Sequence, residues 1–181
     1  MSFLGHTVNF QGVVDIFMHD PAGYLPFTQL MAEIMSGEST LHVPQREMIA
    51  LYVSTLNNCH YCCGSHRAVL ANLQIDDAVI AAVEAGKSAD ASTQAALDFA
   101  KKLTRSPGAV AKNDIENMQK AGWSDQGIED VIKVVSLFSF LNRLVDGMGI
   151  YGNAQVFAQA GTMIAEHGYY PVVQMVQGKA V

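Results

Sequence analysis

The chain has 181 residues, long enough for one domain with a buried core, and half of them are hydrophobic while only 15% are charged. A formal charge of −6, with no local cluster of Lys and Arg, argues against a nucleic-acid partner, because phosphate binding needs a basic patch. The start "MSFLGHTVNF" lacks the basic head and apolar run of a signal peptide, and no stretch approaches the ~18 apolar residues of a membrane span. These features predict a cytoplasmic protein without a membrane partner. So apolar a composition also suggests burial of some surface between identical subunits.

The periodicity is helical in every readable segment. "PFTQLMAEIMSG" (26–37) has helical spacing and stops at Gly37. "PQREMIALYVSTLN" (44–57) opens with Pro44, a good first-turn residue, and "CHYCCGSHRAVLANL" (59–73) follows with Asn57 or Asn58 as its expected N-cap. "DDAVIAAVEAG" (76–86), "STQAALDFAKKLT" (92–104) and "KNDIENMQKAG" (112–122) add three short helices, two of them running into glycine. "SDQGIEDVIKVVSLFSFLNRLVDGMG" (124–149) is a long apolar helix. The tail "GYYPVVQMVQGKAV" (168–181) shows no helical face, with Pro171 interrupting it, and suits a segment that wraps another subunit. No alternating strand is found. The expected fold is all-α, one domain over 1–181 with its core at about 20–150, and a faint echo between its halves fits a duplicated helical unit.

All three cysteines and two histidines fall within "NNCHYCCGSH", residues 57–66. On a helix, Cys59, Cys62 and His66 lie three and four apart and share one stripe. A Cys-x-x-Cys pair can close a disulfide with little backbone movement, and His66 is placed to take a proton from Cys62. The helix dipole alone would make Cys59, nearest the helix start, the more acidic thiol. Cys63 reads as a small buried residue. Zinc is an alternative, with Cys59, Cys62, His66 and either Glu47 or Cys63 as ligands, although three ligands on one helix strain a tetrahedron. A helical oligomer with inert cysteines is another.

The spacing Glu-x11-Cys-x2-Cys-x3-His, carried by Glu47, Cys59, Cys62 and His66, resembles the core of alkylhydroperoxidase D-like proteins in the carboxymuconolactone decarboxylase superfamily. Ser54, Asn57, Cys59, Tyr61, Cys62 and His66 are similar to the signature of its peroxidase-related branch, as is Phe138-x3-Asn142-Arg143. The resemblance implies an all-α fold assembled as trimers or hexamers, with a site near a subunit interface. It implies reduction of hydroperoxides without a cofactor beyond the cysteine pair and without a bound metal. Cys62 would be the peroxidatic cysteine, Cys59 the resolving one, His66 and Glu47 the proton relay, and an external dithiol the reductant. Tyr61, Asn142 and Arg143 would support relay or substrate, Arg143 by orienting Glu47 or a substrate, unless it forms an ion pair at a helix or subunit contact. Best-studied members have histidine where this chain has Tyr61, while His60 should point away from the site. Aromatic-lactone decarboxylation also occurs in the superfamily, in members that lack the cysteine pair.

Overall fold

Caps and turns cut the chain into ten helices, as seen in a computed structural model that describes residues 2–178. No strand occurs among the described residues, so the fold is all-α. The first helices are α1 (Val13–His19) and α2 (Pro21–Ser36); α2 starts five residues before the sequence signal at Pro26. The Asp20 carboxylate accepts from the Gly23 N–H at 3.0 Å and Pro21 occupies the first turn, which fixes that earlier start. Pro26 sits on the exposed face, where the missing backbone bond faces solvent.

Helix α3 (Val43–Leu56) is the centre of the molecule, against which α4 (His60–Asn72), α5 (Asp77–Glu84), α6 (Ala91–Arg105) and α8 (Asp125–Met148) pack. Eight consecutive-turn residues of α3, Arg46, Glu47 and Ile49–Ser54, are buried. A helix buried on most sides must satisfy its polar side chains internally. Arg46 does so by donating to three backbone carbonyls at the end of α2 and beyond, Ile34 (3.2 Å), Gly37 (2.8 Å) and Leu41 (3.0 Å). Ser124 caps α8, its hydroxyl accepting from Gly127 at 3.1 Å, and α7 (Lys112–Lys120) precedes it.

Besides α1, two elements lie where no helix was expected from the sequence. Asn153 caps α9 (Ala154–His167), its carbonyl oxygen accepting from Gln155 (3.0 Å) and Val156 (3.1 Å). In the described part of the tail, α10 (Tyr170–Val176) is a helix with Pro171 in its first turn, where proline starts a helix rather than breaking it. Pro171, Val172 and Val176 are buried, and α10 packs on α2 of its own chain.

Helix α9 lies along α4 at close range because both present glycine at the crossing. A Cβ on Gly161 would meet the Ala68 backbone at 2.8 Å, and one on Gly64 would meet the Phe157 ring at 2.5 Å. Gly161→Val is therefore expected to destabilise the fold by about 1–3 kcal/mol through overpacking, read as a melting temperature lowered by roughly 3–10 °C. An unchanged melt would show that the α4–α9 contact is not tight in solution.

Candidate functional site

The site begins at the tight junction between α3 and α4. Asn58 takes a left-handed conformation (φ 58°), which asparagine tolerates better than most residues, and lets the chain reverse. Cys59, not Asn57 or Asn58, becomes the N-cap of α4, and its N–H bonds the Ser54 carbonyl at 3.0 Å. Asn142 of α8 pins this junction, donating to the Ser54 hydroxyl (3.0 Å) and accepting from Asn57 (2.9 Å).

Cys59 is completely buried and Cys62 is 5% exposed, and the two approach to 3.1 Å. Both are free thiols. The Cys59 thiol is pushed far up from its ordinary range, first by its hydrogen bond with the Cys62 side chain, then by burial and by the charge Cys62 would carry. The opposite expectation, that the helix start acidifies Cys59, fails for this reason: burial and a thiol neighbour outweigh half a dipole charge. Burial also raises Asp146 of α8, while a hydrogen bond from Cys59 pulls it back.

One turn on, His66 is buried with Nδ1 at 2.6 Å from Glu47 Oε2. Glu47 is fully buried, and its other oxygen, Oε1, accepts from the Tyr169 hydroxyl at 2.9 Å. The Phe138 ring meets His66 edge-on, with centroids 4.4 Å apart. Burial holds the Tyr169 phenol well above its usual range, and the Glu47 carboxylate pushes in the same direction, so it stays a donor.

Cys62, Ser65, His66, Tyr61 and Tyr169 line a single cavity of about 70 Å³ whose other walls, among them Phe17, Met31, Phe138 and Ile164, are apolar. The Ser65 hydroxyl is buried there without a hydrogen-bond partner. Burial raises the Tyr61 phenol, which packs against Gly12 and forms one wall.

Glu47, Cys59, Cys62, His66 and Tyr61 are thus brought together. Asn142 serves the α3–α4 junction and does not touch Glu47 or His66. Arg143 requires correction: it lies on the exposed face of α8 and bonds the Ser139 carbonyl of its own helix, so it does not orient Glu47. One turn beyond Ser139 on the solvent side of α8, its long side chain reaches water instead of a buried partner. Cys63 faces the other side of α4, in a second apolar cluster with Leu51, Tyr52 and Leu70, where burial raises its thiol and Thr55 Oγ1 lies 3.7 Å away. His60 is exposed, beside Phe157. No three His, Cys, Asp or Glu among the described residues converge as a metal site. Tyr169 was missed, since its partner Glu47 is 122 residues away and nothing local marks it.

The sequence matches the model of the carboxymuconolactone decarboxylase family over residues 21–105, which spans α2 to α6 and includes Glu47, both close cysteines and His66. A solved structure of an uncharacterized peroxidase-related protein from Silicibacter sp. TM1040 is 30% identical, with TM-score 0.76, over 82% of this chain and 79% of that one. The chain belongs to this family, in its peroxidase-related branch. An alkylhydroperoxidase AhpD core structure, an uncharacterized peroxidase-related protein from Ralstonia eutropha JMP134, shares the fold at 24% identity, with TM-score 0.72 over 81% of this chain and 78% of that one. No curated protein matches the sequence significantly. Within the family chain, Asn142, Asp146 and Tyr169 lie beyond the segment matched by the family model. No helix among the described residues is long and apolar enough to cross a membrane.

Proposed function

We propose that the protein is a thiol-dependent peroxidase that reduces hydroperoxides through Cys62 and Cys59. The observation that carries this reading is that Cys62 and His66 line one small cavity while Glu47 holds the far nitrogen of His66 at 2.6 Å. With Nδ1–H donated to the Glu47 carboxylate, Nε2 is left as the acceptor for the proton of Cys62.

The Cys62 thiolate attacks the distal peroxide oxygen. The O–O bond breaks, the sulfur gains the hydroxyl as a sulfenic acid, and the leaving alkoxide takes the proton from His66 and departs as the alcohol. Cys59, 3.1 Å away, gives up its proton and attacks the Cys62 sulfur, closing a disulfide and releasing water. A dithiol partner returns two electrons, because the remaining thiol, Cys63, faces away from the pair. No cofactor enters this cycle. Apolar walls favour an organic over a charged peroxide.

The partly exposed Leu30 and Phe140 line an open apolar groove between α2 and α8, which suits packing of subunits into a trimer or hexamer.

The test is a free-thiol count with peptide mapping before and after one equivalent of cumene hydroperoxide. Two thiols are expected to disappear together as a Cys59–Cys62 disulfide, leaving Cys63 free. Survival of all three thiols would sink the proposal.

A further inference from the structure

The relay described above is held by a residue that the cysteine motif does not contain. Tyr169 stands at the turn between α9 and α10, and its hydroxyl donates to Glu47 Oε1 at 2.9 Å while its ring lines the cavity holding Cys62 and His66. A buried hydroxyl costs free energy unless it is bonded, so a tyrosine here serves its oxygen and not only its ring.

The turn that delivers Tyr169 is held with unusual care. Its backbone N–H bonds Ser36 Oγ at 2.9 Å, at the last residue of α2. Gly168 before it has φ +67°, and a Cβ there would lie 2.5 Å from the same Ser36 oxygen, so both conformation and space demand glycine. The end of α2 is itself fixed by Arg46 through the Ile34 and Gly37 carbonyls. Arg46 and Glu47 are neighbours in α3. The contacts therefore close a circuit: Arg46 to the end of α2, Ser36 to Tyr169, and Tyr169 back to Glu47.

We infer that Tyr169 is a positioning residue that keeps the Glu47 carboxylate turned toward His66, so that the C-terminal hairpin sets how well the relay acts on Cys62. The inference rests on the reading of Glu47 and His66 as that relay. Three groups face Glu47: His66 from α4, Tyr169, and its neighbour Arg46, whose guanidinium is committed to carbonyls. Cys62 and Tyr61 face Tyr169 from α4, and Asp130 and Tyr170 act on Arg46.

Removing one donor from a buried carboxylate makes its charge harder to keep, so the loss of function appears at the acid end. The experiment measures the rate of iodoacetamide alkylation of Cys62, mapped by peptide, from pH 5 to 9 in the full chain and in Tyr169→Phe. Cumene hydroperoxide oxidation is followed in parallel. In Tyr169→Phe the acidic rise is expected to move to higher pH, with a rate at pH 6 roughly 3–10-fold lower and a plateau within about twofold of the parent. A tyrosine that only filled space would leave the profile unmoved or scale it uniformly, and either result overturns the inference. So does a parent Cys62 whose alkylation shows no pH dependence. Should Tyr169→Phe fail to melt cooperatively, Ser36→Ala removes the anchor of the turn while leaving every relay side chain. A smaller shift in the same direction supports the inference, and a superimposed profile overturns it. If Cys62 is alkylated with the expected profile yet inert to the hydroperoxide, the peroxidase reading falls and the role of Tyr169 stands.

Discussion

Cys62→Ser is expected to show no hydroperoxide consumption above background with dithiothreitol as reductant, whereas Cys59→Ser, mixed with peroxide in the absence of any thiol, should consume one equivalent and stop at a Cys62 sulfenic acid. The asymmetry follows from the environments of the two thiols. Cys59 has no exposed surface, and its bond with Cys62 and its burial hold it as a neutral thiol far above its ordinary range. Such a sulfur is a poor first nucleophile but a competent second one, once Cys62 carries a hydroxyl leaving group. Cys62 lines the cavity with His66 while Cys59 does not, so under the proposed function it is the cysteine open to a peroxide. Serine at 62 removes the polarizable sulfur, and its hydroxyl is too basic to replace a thiolate. Serine at 59 leaves the first step intact, so an intact-mass increase of about 16 Da on one equivalent of peroxide, lost on treatment with a small thiol, is the signature. Further oxidation should follow with excess peroxide, because nothing adjacent can resolve the acid. If Cys59→Ser rather than Cys62→Ser abolished the first oxidation, the roles would be reversed and the burial argument wrong.

What the sequence disclosed was what depends on short spacings. The stripe of Cys59, Cys62 and His66 needs only the helical period, and the helices α3 to α8 announce themselves by apolar periodicity and by caps such as Ser124. The elements at the two ends were less legible for physical reasons. Helix α1 is only seven residues long, and α10 begins with a proline that reads as a break unless its place in the first turn is known. Helix α9 did carry a signal, Asn153 before Val156, Phe157, Ala160 and Ile164, but its surface is apolar enough to blur the face. Side-chain direction was harder still. Arg143 follows Asn142 directly, yet one points to the α3–α4 junction and the other to solvent, since successive helix positions diverge by about 100°. The raised pKa of Cys59 turned on its hydrogen bond with Cys62 and on burial at an N-cap, which no spacing reveals. Tyr169 reaches Glu47 only because the chain ends fold back over α2, a long-range contact with no local trace.

Glu47→Gln should separate the chemistry from the fold. The side chain keeps its size in a site with no exposed surface, so the thermal midpoint is expected to move by only a few degrees. The buried Tyr169 hydroxyl is held protonated and its proton still needs an acceptor, which in the amide only the oxygen can be. The amide oxygen therefore stays on that side and the NH2 turns toward His66 Nδ1, where the carboxylate oxygen stood at 2.6 Å. An N–H facing Nδ1 makes that nitrogen the acceptor and moves the imidazole proton to Nε2. His66 then presents a donor where the Cys62 proton has to be received. The imidazolium that forms during transfer also loses the adjacent negative charge. Wrong tautomer and lost charge together correspond to a fall of roughly 10²–10⁴-fold in the rate of Cys62 oxidation, measured by stopped-flow mixing with cumene hydroperoxide. Glu47→Ala is a poorer instrument, because it leaves a cavity and two unpaired buried groups and should cost about 3–5 kcal/mol of stability. A Glu47→Gln protein that melts like the parent and oxidises Cys62 at the parental rate would show that the buried Glu47–His66 pair holds α3 against α4 without moving a proton.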